Sequence, residues 1–102
     1  MTLTSAEEVK ISDIIKLEDY NHYYCIIGSI INVDKEKYMI TIDDGSAQLD
    51  IQVSNIYEIG NTIRIFGKKI YNTNILKAYI IQDFSNFNVD VYRKIKYLEE
   101  YI

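Results

Sequence analysis

The sequence predicts an all-β protein: a small five-stranded barrel, in one domain, followed by a C-terminal α-helix. Three observations predict it. Five stretches of β-branched and aromatic residues alternate with turn-forming residues. The composition, with 20 Ile, 10 Tyr, no Pro and three Ala, favours side chains that suit a pleated, half-buried surface. The last segment then changes from a period of two to a helical period.

The elements follow in order. Residues 1–10 are polar and acidic and are expected to form a flexible tail. Ile11, Ile14, Ile15 and Leu17 bring apolar groups onto the domain as a short strand or turn. Tyr23 to Val33 is a long β-rich run with Gly28 in its middle, where a glycine marks a bulge or bend. Asp34 to Lys37 is a charged hairpin tip. In the second strand Tyr38, Ile40 and Ile42 alternate with Met39, Thr41 and Asp43. After the turn at Asp43-Asp44-Gly45-Ser46, Leu49, Ile51 and Val53 alternate with Asp50, Gln52 and Ser54. Residues 55–60 cross to a fourth strand, 62–70. The Tyr71-Asn72-Thr73-Asn74 turn leads to a fifth, 75–82.

In the last segment Val91, Ile95, Leu98 and Ile102 fall at i, i+4, i+7 and i+11, an amphipathic helix over 87–102 that Asn88 or Asp90 is placed to cap. The stripe, with Tyr92 beside it, is longer than plugging one barrel end requires. It is therefore expected to pack against partner subunits in a hetero-oligomer. A bent first strand and a crossing between the third and fourth strands suit an oligonucleotide-binding (OB) barrel over residues 11–86 better than an SH3-like one.

Composition excludes several classes of function. No apolar run approaches the roughly 20 residues of a membrane-spanning helix. One cysteine and one histidine exclude an internal disulfide and a Cys/His zinc site. Cys25 is expected in the first strand and His22 on the surface, with no nucleophile and base to form a triad. The acids at 34, 43, 44 and 50 lack calcium-loop spacing, and no phosphate loop is present. No enzyme, metal or other cofactor is therefore expected. Asp43 and Asp44 read as a turn whose carboxylates satisfy backbone donors.

Net charge is −4, but it is unevenly spread. Residues 61–80 carry Arg64, Lys68, Lys69 and Lys77 and no acid, whereas residues 38–60 carry four acids and no base. Single-strand binding needs π faces for bases and cations along the phosphates. Tyr38, Tyr71 and Tyr79 with the four cations of 61–80 supply both, and Lys35 and Lys37 lie on a hairpin able to close over a strand. The alternative is that these charges only face solvent or pair across the sheet.

Taken in order, IIGSIINV (26–33), ITIDDGS (40–46), LDIQV (49–53), IRIFG (63–67) and ILKAYIIQDFSNFN (75–88) resemble one family. They are similar to the OB domain of the middle subunit of replication protein A and to archaeal and telomeric single-strand-binding subunits. Gly28, Asp43-Asp44 and Gly67 match family positions. The resemblance implies a non-catalytic subunit of a single-stranded-DNA-binding complex, acting in replication, repair or recombination. It would be assembled through its C-terminal helix with other OB subunits. It further implies an intracellular protein, nuclear in a eukaryote and cytoplasmic in an archaeon. Two departures stand out. Of the family's two stacking residues, the tryptophan at the end of the third strand is matched by about Ser54, while the aromatic near the turn between the fourth and fifth strands is matched within one residue by Tyr71. A winged-helix domain like the family's is not expected in this sequence. The alternative is a telomere-complex-like scaffold, or an accessory subunit of an RNA enzyme, with little nucleic-acid binding of its own.

Overall fold

The computed structural model describes residues 8–55 and 57–84. Their order is α1 (Ile11–Lys16), β1 (Tyr24–Asp34), β2 (Met39–Asp43), β3 (Gln48–Gln52), β4 (Thr62–Lys69) and β5 (Ile75–Asp83). The strands form a closed barrel in the spatial order β1-β2-β3-β5-β4. All neighbours are antiparallel except β3 and β5, whose short parallel pairing sets Asp50, Ile51 and Gln52 opposite Ile75, Leu76 and Lys77. The expected all-β, five-stranded OB barrel is therefore the observed architecture. The predicted C-terminal helix, with Val91, Tyr92, Ile95, Leu98 and Ile102, lies outside the described residues, as do residues 1–7.

Strand periodicity explains the interior. Ile40, Ile42, Leu49, Ile51, Ile63, Ile65 and Leu76 alternate inward and are buried, joined by Tyr24, Ile26 and Ile30 of β1. Burying each such aliphatic side chain contributes about 1.5–3 kcal/mol. The first half of β1 buries its other face too: Cys25 and Ile27, with Phe66 of β4, point away from the core and are also buried. That explains why this run reads as continuous apolar sequence instead of alternation.

The barrel closes because β1 serves two neighbours. Tyr24 to Ser29 pair with β4, and Ser29 to Asp34 pair with β2, with a register slip between Ile30 and Asn32. Gly28 sits at the changeover. A Cβ there would collide with Ile42 Cγ2 and lie 2.8 Å from the Asp43 carbonyl oxygen.

Three sequence expectations are corrected. Residues 11–16 form a helix and not a strand or turn, because Ile11 and Ile14, three apart, both reach the core. A helix of six residues is far below the length that is stable alone, and contacts from other elements hold it. Secondly, the tail boundary at residue 10 falls inside the folded part. The Val9 N–H donates to the Cys25 carbonyl at 2.9 Å, and Glu8 bridges the same residue. Thirdly, Tyr38 does not alternate into the core: it has φ 53° in the hairpin and is exposed.

The backbone oxygen beside Gly28 cannot move without breaking the β1–β2 ladder. Gly28→Ala is therefore expected to lose about 1–3 kcal/mol of stability. A thermal melt should show a midpoint lowered by at least about 4 °C; an unchanged midpoint would show that the crossing relaxes freely.

Candidate nucleic-acid interface

In OB barrels the face of the second and third strands, with the loops joining strands 1 to 2 and 4 to 5, holds oligonucleotides. Here that face is acidic. Alternation turns Met39, Thr41 and Asp43 of β2 and Gln48, Asp50 and Gln52 of β3 outward, a set with two carboxylates and no cation. The Thr41 hydroxyl donates to Asp50 Oδ1 at 2.8 Å.

The turn between these strands is structural. Asp43 Oδ1 accepts the Gly45 N–H at 2.7 Å, and the residue that follows Asp44 takes φ 89°, a conformation glycine adopts freely. Asp44 Oδ1 accepts from the Ser46 N–H, the Ser46 hydroxyl and the Ala47 N–H. Its other oxygen accepts the Ile11 N–H at 2.9 Å, while Ser46 Oγ accepts the Ser12 N–H at 3.1 Å. The turn thus caps the first two N–H groups of α1 from 33 and 34 residues away. Burial pushes the Asp44 carboxyl up, but the hydrogen bonds from Ser46, Ile11 and Ala47 outweigh it and hold the pKa below its ordinary value.

The sequence-predicted cations separate into four environments. Lys35 and Lys37 are exposed on the β1–β2 hairpin, whose tip is fixed by Asp34 Oδ1 accepting the Glu36 and Lys37 N–H groups. Lys69 is corrected as a candidate contact. It is 4% exposed, and its ammonium donates to the Ile14 and Leu17 carbonyls at the end of α1. Arg64 lies over the buried Phe66 ring, 4.7 Å from its centroid, with Nε donating to Cys25 Sγ at 3.4 Å.

Lys68 and Lys77 come together. They are direct cross-strand partners on β4 and β5 and face outward, since their neighbours Lys69 and Leu76 are buried. Lys68 Nζ is 5.0 Å from the Tyr23 ring centroid, and Lys77 Nζ is 5.6 Å from that of Tyr79. The two rings meet edge to face at 5.8 Å. Tyr23 was missed in the sequence, although its parity with Cys25 along the run YYC is the signal that turns it outward. Tyr71, on the β4–β5 loop, is 80% exposed and meets Tyr20 edge to face at 5.2 Å. The structure therefore gathers Lys68, Lys77 and Tyr79. It leaves Lys35, Lys37 and Tyr38 on one hairpin and Tyr71 on a separate loop. Among the described residues no group of three His, Cys, Asp or Glu could hold a metal ion, and no helix is long and apolar enough to cross a membrane.

Known structures share this fold. The telomere capping protein Ten1 from Saccharomyces pombe superposes with a TM-score of 0.73 at 18% identity, over 96% of this chain and 100% of that one. A chain of the S. pombe Stn1–Ten1 complex gives 0.72 at 18%, over 94% and 92%. A chain of U. maydis replication protein A bound to single-stranded DNA gives 0.67 at 12%, over 92% and 86%. At these identities the likeness shows the OB fold. No protein-family model and no curated protein matches the sequence.

Two outcomes are expected from the capping contacts. Asp44→Asn should destabilise the domain by about 1 kcal/mol at pH 7. Because the folded-state pKa is lowered, the wild-type advantage is present above the unfolded pKa, near 3.8, and is lost as pH falls through the folded value. Urea melts of both proteins should converge below that pH. Lys69→Met leaves the Ile14 and Leu17 carbonyls without their donor and should cost about 1–3 kcal/mol, while oligonucleotide affinity measured on the folded variant stays as in wild type.

Proposed function

We propose that this chain is a non-catalytic OB-fold subunit of a single-stranded-DNA-binding assembly, intracellular, and nuclear in a eukaryotic host. The observation that carries the reading is the gathering of lysines and tyrosines on the outer surface of a closed OB barrel. Binding is by stacking and phosphate neutralisation. The described carboxylates of the β2–β3 turn are engaged by backbone and hydroxyl donors, so they support the fold and not a reaction.

The likeness to Ten1, to the Stn1–Ten1 complex and to replication protein A supports an assembly of this general kind. Of the two roles, the replication-protein-A-like one is the sequence reading. The telomere-capping one is favoured by superposition over the whole length of Ten1. The acidic β2–β3 face supports a further qualification: the isolated chain binds weakly, and partner subunits supply part of the DNA contact. The sequence stripe Val91, Ile95, Leu98 and Ile102 is the proposed seat of those partners.

Fluorescence anisotropy with labelled oligonucleotides across a salt series tests this. The assembled complex is expected to bind single strands with log affinity falling linearly in log salt, by about 0.7 per phosphate neutralised. The isolated chain should bind more weakly with a shallower slope. Absence of binding by both would overturn the reading. Ile95→Asp should release the partners in a co-purification while the melting midpoint of the barrel is kept.

A further inference from the structure

We infer that single-stranded nucleic acid crosses the barrel over β4 and β5, with a backbone phosphate held between Lys68 and Lys77 and a base on the exposed face of Tyr79. The inference rests on the single-strand-binding reading above and specifies where the strand runs. It departs from the β2–β3 face that the fold commonly uses.

The geometry around these residues is built and not incidental. Lys68 and Lys77 stand directly opposite each other across the sheet, a placement in which like charges repel and reduce stability. An anion between them converts that repulsion into two charge-assisted contacts. The register that opposes them is fixed by an irregularity beside them. Gly67 pairs with Ala78 but Phe66 pairs with Ile80, so Tyr79 is the extra residue of a bulge. Bulges re-aim side chains and are over-represented at functional sites. Gly67 makes the close approach possible. A Cβ there would collide with the Lys77 carbonyl oxygen and come within 3.2 Å of Leu76 Cγ.

The bulge presents Tyr79 beside Tyr23, and their edge-to-face contact fixes the ring while it stays 49% exposed. A ring held in place loses less side-chain entropy when a base stacks on it. The row Tyr23, Lys68, Lys77 thus carries two cations and no carboxylate where it crosses β4 and β5.

The test uses the full chain, alone and in the complex co-purified from its host, with fluorescein-labelled oligo-dT and oligo-U across a salt series. The variants are Lys68→Gln, Lys77→Gln, Tyr79→Leu and Tyr71→Leu, each checked by circular dichroism and melting. Either lysine variant is expected to weaken binding about ten-fold and to lower the salt slope by up to about 0.7. Tyr79→Leu should weaken binding about ten-fold with the slope kept, and Tyr71→Leu should leave both nearly unchanged. Loss of binding to both oligomers in parallel supports a phosphate contact shared by DNA and RNA.

If wild type binds and the lysine variants keep its slope, this path is wrong while the functional reading stands. Loss confined to Tyr71→Leu would place the strand on the β2–β3 side instead. Binding of polyglutamate as tight as that of oligo-dT, indifferent to Tyr79→Leu, would overturn the inference in favour of an acidic protein partner. A wild-type chain and complex that bind neither oligomer would overturn the inference together with the function it rests on.

Discussion

The close crossing at Gly28 is the constraint on which the rest of the barrel depends. One strand, β1, must leave β4 and join β2 within about two residues, and the space at the changeover is filled by Ile42 and the Asp43 backbone. Only a residue without a Cβ fits. Once β1 makes that turn, β2 and β3 are carried round the core, and β3 is brought level with the start of β5. The parallel β3–β5 pairing then spans only three residue pairs. So short a pairing contributes little by itself. It is stabilised by the isoleucines and leucines packed beneath it, so closure follows from the bend and the core together.

The Asp43–Ser46 turn shows how one feature can have two structural tasks. Locally, its carboxylates satisfy turn donors, as a pair of acids before glycine leads one to expect. At long range, Asp44 and Ser46 accept the first N–H groups of α1, while the Lys69 ammonium donates to carbonyls at the other end. The six-residue helix is thus held at both termini by side chains from β-hairpins, and its two buried isoleucines fasten it to the core. Acids, a serine and a lysine that resemble functional groups in the sequence are here parts of one clamp. Their hydrogen-bonding capacity is consumed by the fold.

This division explains what the sequence made legible. Strand alternation around Ile40, Ile51 and Ile63, the glycine bend and the turn residues all report local rules, and they placed the five strands and the barrel. Residue type and the acid-free run 61–80 singled out Lys68, Lys77 and Tyr79, and the folded sheet places them on its outer surface. Lys69 was misread because its role depends on the carbonyls of residues 14 and 17, which only the folded chain brings beneath it. Arg64 reads in the sequence as a charge, and the structure adds that its guanidinium lies on Phe66. α1 was hidden because its caps come from residues 44 and 46, and a capping search along the local sequence meets Lys10 instead. Tyr23 was passed over because its partner Tyr79 is 56 positions away and is aimed by a bulge that depends on pairing. Local periodicity reports direction, and only topology reports company.

The same topology reconciles the acidic net charge with the anionic ligand proposed for this chain. A net charge of −4 describes the whole surface at distances well beyond the Debye length, about 8 Å at physiological salt. Within that length the field is set by the nearest groups. Asp43 and Asp50 govern the β2–β3 face, and Lys68 and Lys77 govern the strip over β4 and β5. A strand drawn to the basic strip is therefore kept from spreading over the acidic face, which limits the contact one barrel can make. In the proposed assembly, added affinity comes from cations of neighbouring subunits and not from a longer footprint on this one. A barrel so divided is consistent with the assembly proposed for it, in which this chain would contribute a short, oriented contact and its partners the rest of the binding site.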